Sequence, residues 1–352
     1  MPDNHLMSGT SVESPLHLLV PFAAASAPEC QALLPGLHLS NLRALWSCLT
    51  EQAADRGEDH SLTPPHERAR ARWLGLPVAD GAIAWAAVHS QQPTRPQAFF
   101  SLCHYQVGLD QVIVLPATGL ALEAAESRAL FDAFAPLCAE DGLCLEWESA
   151  TEWRASGEAF RHLVCASLDR VSGRHAIDWL PRAGQGGSDT ATRLVQRLQS
   201  EAQMLFYNHP VHDARVARGL LPINGFWVHG AGAQETSRGG DTDGRPTIHP
   251  PDGLLDGALV GQTGLCIPDT LRQAALRSDW AAWQAAWQAL DTHQLADLLA
   301  AAQRNEPVRL TLCGERNART WTTTPTNALR RWARSIKNRW TADPVVEILK
   351  DL

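Results

Sequence analysis

The sequence predicts an α/β protein whose layered core is built on a mainly parallel sheet. Short apolar runs typical of buried strands alternate with longer segments of helical periodicity along the 352 residues. Strands that are separated by helices favour parallel pairing, because a crossover helix brings the chain back to the same end of the sheet. Within this pattern, residues 97–180 have the character of a smaller α+β region.

The N-terminal part of the chain predicts one buried strand and two helices. Residues 16–20 are a buried strand that Pro21 ends, and residues 41–49 are a short helix. A turn with two prolines precedes a further helix at 65–74, which Gly75 closes.

The middle of the chain predicts three strands around one helix. Residues 112–115 are a strand, and residues 122–137 are a helix with acidic residues at its start and Gly142 just beyond its end. Residues 143–147 and 162–165 are further strands, since they are short, apolar and bounded by polar residues.

The remaining elements are two helices, two strands and a loop. Residues 190–207 are a helix, 223–228 a strand, and 236–253 an exposed loop rich in Gly, Asp and Pro. Residues 278–302 contain an amphipathic helix, and 308–312 are a late buried strand. One apolar face follows the helical period in that helix: Trp280, Trp283, Trp287 and Leu290.

Charge and cysteine usage exclude some classes of function. The formal net charge is -8, which argues against non-specific nucleic-acid binding, because that needs a basic face. None of the 8 cysteines forms a CxxC pair, so we expect buried free thiols in a reducing cytoplasm. The apolar stretch 16–27 has no Lys or Arg before it, and no run reaches the length of a membrane helix.

The most specific motif begins at His209. It has the sequence HPVHDAR at 209–215, followed by Gly219, PINGFW at 222–227 and Gly230. This passage resembles the HPVNxxR, Gly, PANxIW and Gly pattern of the archaeal-type cofactor-independent phosphoglycerate mutases, which belong to the alkaline phosphatase superfamily. His212 stands where that family has Asn.

Four other passages are similar to bacterial proteins labelled phosphoglycerate mutase or RpfE-type regulatory protein. They are PPHE at 64–67, CASLDRVSGR at 165–174, RLQSEAQM at 197–204 and LCGE at 312–315. The resemblance implies an alkaline-phosphatase-like core at 16–92 and 181–325, with an inserted α+β subdomain at 93–180. Outside these we expect a disordered extension at 1–15 and a basic C-terminal helix at 326–352.

The same resemblance implies two metal ions, held by Asp and His, that polarise the phosphate and activate a nucleophile. This chain departs from that pattern after its first strand, where Pro21 and Phe22 replace an Asp, and after its last, where Gly314 and Glu315 replace Asp-His. The His-bearing segment before the last long helix is also missing.

We therefore expect a phosphoglycerate-mutase-like protein with a degenerate metal site, regulatory or ligand-binding, and without a cofactor. The alternative is an active mutase or phosphatase with a rebuilt site, which would use a divalent metal such as Mn or Zn.

The candidate catalytic residues are His66 and Glu67. Counting back from Leu74 and Gly75 places His66 at the nucleophile position of the family, with Glu67 available to orient its ring. The alternatives are that His66 caps or orients the start of the helix behind Pro65, or that it binds a ligand without catalysis.

The candidate ligand-binding residues are mostly arginines, which bind carboxylate or phosphate through two hydrogen bonds. They are Arg215, Asn224, Arg170, Arg174 and His212. The alternative for Arg215 and Asn224 is that they only hold their loop to the core, and for Arg170 and Arg174 an ordinary ion pair.

Two further patterns suggest partners. His209 and His212 are candidate metal ligands, although Pro210 breaks helical spacing between them. The basic, amphipathic stretch at 326–352 either contacts an acidic partner or packs its Trp residues on the body of the protein. The expected small-molecule partner is phosphorylated or carries a carboxylate; no nucleic-acid partner and no membrane span are expected.

Overall fold

A computed structural model describes residues 15–88, 90–234, 264–323 and 344–352. The chain forms two compact units. Of the described residues, unit 1 comprises 15–56, 264–275, 279–323 and 344–352, and unit 2 comprises 57–88, 90–234 and 276–278.

The strands and helices alternate along much of the described chain. The strands are β1 (Leu16–Val20), β2 (Leu49–Glu51), β3 (Gln97–Val107), β4 (Val112–Pro116), β5 (Cys144–Trp147), β6 (Glu152–Ser156), β7 (Leu163–Val164), β8 (Arg182–Ala183), β9 (Gly225–Gly232), β10 (Leu265–Cys266), β11 (Val308–Cys313) and β12 (Ala318–Thr323). The helices are α1 (Pro28–Leu33), α2 (Ser40–Leu45), α3 (Pro65–Trp73), α4 (Trp85–Val88), α5 (Ala124–Glu140), α6 (Leu168–Val171), α7 (Asp189–Tyr207), α8 (Pro210–Ala217), α9 (Thr270–Leu276), α10 (Trp280–Thr292), α11 (Gln294–Gln303) and α12 (Pro344–Lys350).

Unit 1 contains a mixed sheet in the order β10-β1-β11-β12-β2. Strand β1 runs parallel to β10 and β11, whereas β12 and β2 are antiparallel to their neighbours. β1 is buried from His17 onwards, as its continuous apolar sequence predicted.

Unit 2 contains an antiparallel sheet in which β3 is the longest strand. β6 and β4 pair with β3 along one edge and β9 along the other, and β5 continues the sheet beyond β6. Residues 108–111 join β3 to β4, and residues 148–151 join β5 to β6. Such short connections allow only hairpins, because a parallel pair needs a crossover of a dozen or more residues.

The prediction of a mainly parallel sheet is therefore wrong for the described residues, in which only β1 forms parallel pairs. The α/β class itself, with a mixed sheet and several helices, is confirmed. The predicted boundaries at 92/93 and 180/181 fall inside unit 2. The division into a core domain and an inserted subdomain remains a prediction.

Most of the predicted elements are present with shifted ends. The helix predicted at 41–49 ends at Leu45, and Leu49 begins β2. The helix predicted within 278–302 is two helices, α10 and α11, which meet at His293, where φ is -109° and ψ is -83°. Gly75 ends α3 at a φ of +66°, a conformation that glycine adopts without strain.

Three predictions fall largely outside the described residues. They concern the extension at 1–15, the loop at 236–253 and the greater part of the basic segment 326–352, of which 344–350 is α12. Among the described helices, none combines the length and apolar character that crossing a membrane requires.

Candidate functional site

His66 lies at the start of α3, directly after two prolines, and is paired with an acid. Its Nε2 is 3.1 Å from Oδ2 of Asp169 in α6, and the two side chains are 10% and 4% exposed. The carboxylate fixes the orientation of the imidazole ring, an arrangement that also serves catalytic histidines. The Nδ1 atom of the same ring is buried too.

The carboxylate of Glu67 is bound to other residues, so its orienting of the His66 ring remains a prediction that these contacts do not support. Its Oε1 accepts a short hydrogen bond from Ser167 Oγ, and its Oε2 accepts one from Trp85 Nε1 at 3.0 Å. Asp169 and Ser167 were not predicted as partners of this site. They follow His66 and Glu67 by about a hundred residues in the chain, so local sequence patterns carry no signal for the contact.

Arg170 is turned towards the loop before α3. Its Nε donates to the Ser61 carbonyl at 2.6 Å, and its side chain is buried beside the ring of Trp179. The same loop is held by Asp80, whose carboxylate accepts from the backbone N–H of Thr63 at 2.8 Å. Arg170 thus positions the loop that carries His66, while Arg174 is half-buried in the turn after α6.

Arg215 has no exposed surface and is surrounded by acceptors. Its guanidinium donates to Glu126 at 2.5 Å, to the Leu120 carbonyl at 2.6 Å and to the Leu221 carbonyl at 2.9 Å. These contacts are those of the structural alternative, in which the arginine ties α8 and the following turn to the start of α5. Binding of a ligand by Arg215 remains a prediction that these contacts do not support.

Asn224 has a similar structural role. Its Oδ1 accepts from the Tyr105 backbone N–H at 2.6 Å, and its Nδ2 donates to the Tyr105 carbonyl at 3.1 Å. Both ends of the amide are thereby used to join the chain before β9 to β3.

The two histidines of the HPVH motif have separate contacts. His209 accepts a hydrogen bond from the Val211 N–H at 3.2 Å and so caps α8, whereas the ring of His212 lies 4.8 Å from that of Tyr207. Among the described residues, no three His, Cys, Asp or Glu side chains are grouped closely enough to hold a metal ion.

In unit 1, the carboxyl ends of parallel strands β1 and β11 are the position at which open α/β sheets usually bind ligands. Here two fully buried indoles occupy it. Trp283 Nε1 donates to the Phe22 carbonyl at 2.9 Å, and Trp287 Nε1 donates to the Ala23 carbonyl at 3.2 Å. We call this region, formed by residues 21–26, 283, 287 and 314–315, the β1–β11 edge.

The other residues of the β1–β11 edge are also engaged within the protein. Glu315 accepts a hydrogen bond from the Ser26 backbone N–H at 2.7 Å. Gly314 lies against the backbone of Leu352, where an added Cβ would come within 2.5 Å of the carbonyl carbon. The carboxylate of Glu315 is thus bound to Ser26, and the described residues contain no group of three possible ligands around a common metal position.

Neither a family model nor a curated protein matches the chain. It is similar to the solved structure of a cofactor-independent phosphoglycerate mutase from Thermoplasma acidophilum DSM 1728, with 12% identity over 97% of this chain and 100% of that one, at a TM-score of 0.36. It is also similar to the PH0037 protein from Pyrococcus horikoshii, with 11% identity over 88% and 87% of the two chains, at a TM-score of 0.40.

Proposed function

We propose that the protein is a phosphoglycerate-mutase-like regulatory or ligand-binding protein without metal-dependent phosphoryl transfer. The proposal rests on the motif at 209–230 and on the composition of the β1–β11 edge. In the resembling family, the ends of the first and last core strands supply metal ligands. In this chain those ends carry Phe22, Gly314 and Glu315, and two buried tryptophans donate to the Phe22 and Ala23 carbonyls.

The observation that carries the proposal is the pair of indole hydrogen bonds to the Phe22 and Ala23 carbonyls. Two-metal catalysis needs hard carboxylate or imidazole ligands around a cavity that admits the phosphate. The indole N–H groups of Trp283 and Trp287 donate only, so they cannot ligate a cation. Loss of metal ligands at several positions removes most of the electrostatic stabilisation on which phosphoryl transfer depends.

The ligand that we expect is a small anion, phosphorylated or carboxylated. Arg170 and Arg215 hold parts of the protein itself. Arg174 is half-buried in the turn after α6 and is the predicted contact to test first. The experiment is isothermal titration calorimetry of the full chain with 3-phosphoglycerate, with and without Mn²⁺. Binding that does not depend on the metal supports the proposal, and binding that requires Mn²⁺ refutes it.

Two variants that each remove one arginine distinguish a specific contact with the ligand from a non-specific effect of positive charge on its affinity. Arg174→Gln should weaken binding of 3-phosphoglycerate at least tenfold, since a bidentate arginine contact is lost. Arg72→Gln changes an exposed arginine of α3 in the same unit and should leave the affinity unchanged. Equal weakening by both variants would mean that binding is only electrostatic.

One observation favours the alternative, an active enzyme with a rebuilt site: the pairing of His66 Nε2 with Asp169. A ring held in this way can act as a general base or accept a phosphoryl group. The burial of His66 argues against this alternative, because a ring that is only 10% exposed is poorly accessible to a substrate. The test is phosphatase turnover of His66→Gln against His60→Gln, an exposed histidine in the same unit. A turnover in the wild type that only His66→Gln abolishes would favour this alternative.

A further inference from the structure

Three neighbouring strands of unit 2 place polar side chains in mutual contact on one face of the sheet. Ser101 lies in β3, opposite Glu152 of β6, and donates its hydroxyl proton to Glu152 Oε2 at 2.8 Å. His229 of β9 brings its Nε2 to 2.8 Å from Ser101 Oγ and to 3.3 Å from Glu152 Oε2. The contacts form a closed triangle that spans the sheet from β6 to β9.

The protonation pattern of this triangle follows from counting donors. A serine hydroxyl has one proton, and that of Ser101 is given to Glu152. His229 Nε2 must then carry the proton that it shares with Ser101, which makes Nδ1 the nitrogen that takes up a further proton. Protonation therefore adds a positive charge to the ring without breaking any contact in the triangle.

The same donor count argues against nucleophilic catalysis here. In a Ser-His-acid triad the imidazole accepts the serine proton, and the acid binds the other ring nitrogen. Here the serine donates to the acid, and both partners meet the same nitrogen of His229. In addition, Ser101 is only 3% exposed.

The groups around the triangle keep Glu152 ionised. Burial raises the pKa of Glu152. The hydrogen bond and charge of His229 lower it, and Ser101 and Arg154 lower it further, so that the pKa lies below its usual value. Glu152 therefore stays ionised in mild acid. The other charged groups on the surrounding elements are Arg154 of β6, Glu146 and Glu148 at the end of β5, Glu67 and Arg70 of α3, and Asp169 of α6.

Most of these other charges are paired elsewhere. Glu148 is bound to Arg154 at 2.7 Å, and burial, followed by the neighbouring carboxylates, raises its pKa. Glu67 and Arg70 meet Trp85 of α4 rather than the triangle. Glu152 is the acidic partner of His229, at 3.3 Å.

The strand that carries His229 is irregular just beyond it. The pairing of β3 with β9 shifts register between Gln97 and Phe99, and Gly230 and Gly232 both have positive φ. A bulge of this kind weakens the backbone ladder and re-aims the adjacent side chain. The side-chain contacts of His229 are therefore well placed to hold the end of β9.

We infer that Ser101, Glu152 and His229 form a proton-operated latch, which tightens the end of β9 against β3 and β6 when His229 becomes cationic. Histidine is the side chain that most commonly serves as a proton-dependent switch in proteins. The neutral state keeps the hydrogen bond to Ser101, and the cationic state adds an ion pair with Glu152 at 3.3 Å. The latch would give a regulatory protein a response to pH that is independent of any ligand.

The test is hydrogen–deuterium exchange of the full chain at pH 5.5 and pH 8, after correction for intrinsic exchange rates. In the wild type, a peptide covering 225–234 should exchange about fivefold more slowly at pH 5.5, as when a neutral hydrogen bond becomes charge-assisted. A peptide from α7 in the same unit reports any change in global stability. No difference between the two pH values in the wild type would overturn the inference.

Two variants assign the response to the latch. His229→Gln should remove the difference at 225–234, whereas Ser101→Ala should keep most of it, because the ion pair with Glu152 remains. A response of wild-type size in His229→Gln would overturn the inference. If that variant does not fold, Glu152→Gln makes the same test by removing the negative partner.

Discussion

The buried histidine of β1 makes unit 1 sensitive to acid. His17 is 2% exposed, and its Nε2 is hydrogen-bonded to Thr311 Oγ1 in β11 at 2.9 Å. Burial, with an added contribution from the positive charge of Arg309, lowers the pKa of His17 from 6.5 to about 3. Unfolding restores an ordinary histidine, so between pH 3 and pH 6.5 the unfolded chain binds a proton that the folded chain does not.

The stability of unit 1 should therefore rise with pH through this window and level off above it. On lowering the pH from 8 to 5, the expected loss is about 2 kcal/mol, from the proton affinity of an unperturbed histidine in the unfolded chain. The assay is urea unfolding followed by tryptophan fluorescence at both pH values, in the wild type and in His17→Gln, whose amide can still bond to Thr311. The variant should lose about 2 kcal/mol less than the wild type. An identical loss in both proteins would refute the reasoning, since it would place the pH sensitivity elsewhere.

Three further predictions concern packing and access. Trp283→Phe should destabilise unit 1 by about 1–3 kcal/mol in urea unfolding, because the Phe22 carbonyl loses its buried donor; no loss would show that the indole N–H is not needed there. Arg215→Met should cost about 3–5 kcal/mol because Glu126 loses its buried cationic partner and the Leu120 and Leu221 carbonyls lose their donor, whereas Arg218→Met, whose side chain is 44% exposed, should change stability little. Equal effects would contradict the burial argument. Of the eight cysteines, Cys144 is exposed and should react first with a thiol reagent in the native protein, which peptide mapping after a short pulse would detect.

Local signals in the sequence predicted some of the helices and strands at their observed positions. The apolar run of β1 and the paired prolines before α3 act within a few residues of their effects, and both elements lie where they were predicted. The break at His293 was missed because the Trp and Leu periodicity continues on both sides of it.

The direction of the sheets and the partners within the site depend on contacts that are distant in the chain. Strand β3 was not predicted from the sequence. Without β3, the antiparallel pairing of unit 2 could not be predicted, because β3 pairs with both β4 and β6. The pairing of His66 with Asp169, and the enclosure of Arg215 by Glu126, likewise join residues about a hundred positions apart. The motif could indicate Arg215 as important but could not separate a ligand contact from a structural one.

Turnover in the presence of metal tests the central claim most directly. The protein would be purified without chelators, its bound metal measured by elemental analysis, and its conversion of 3-phosphoglycerate to 2-phosphoglycerate assayed with added Mn²⁺. The account predicts much less than one equivalent of metal and no turnover above the buffer control. One equivalent or more of bound metal, together with Mn²⁺-dependent turnover, would contradict it.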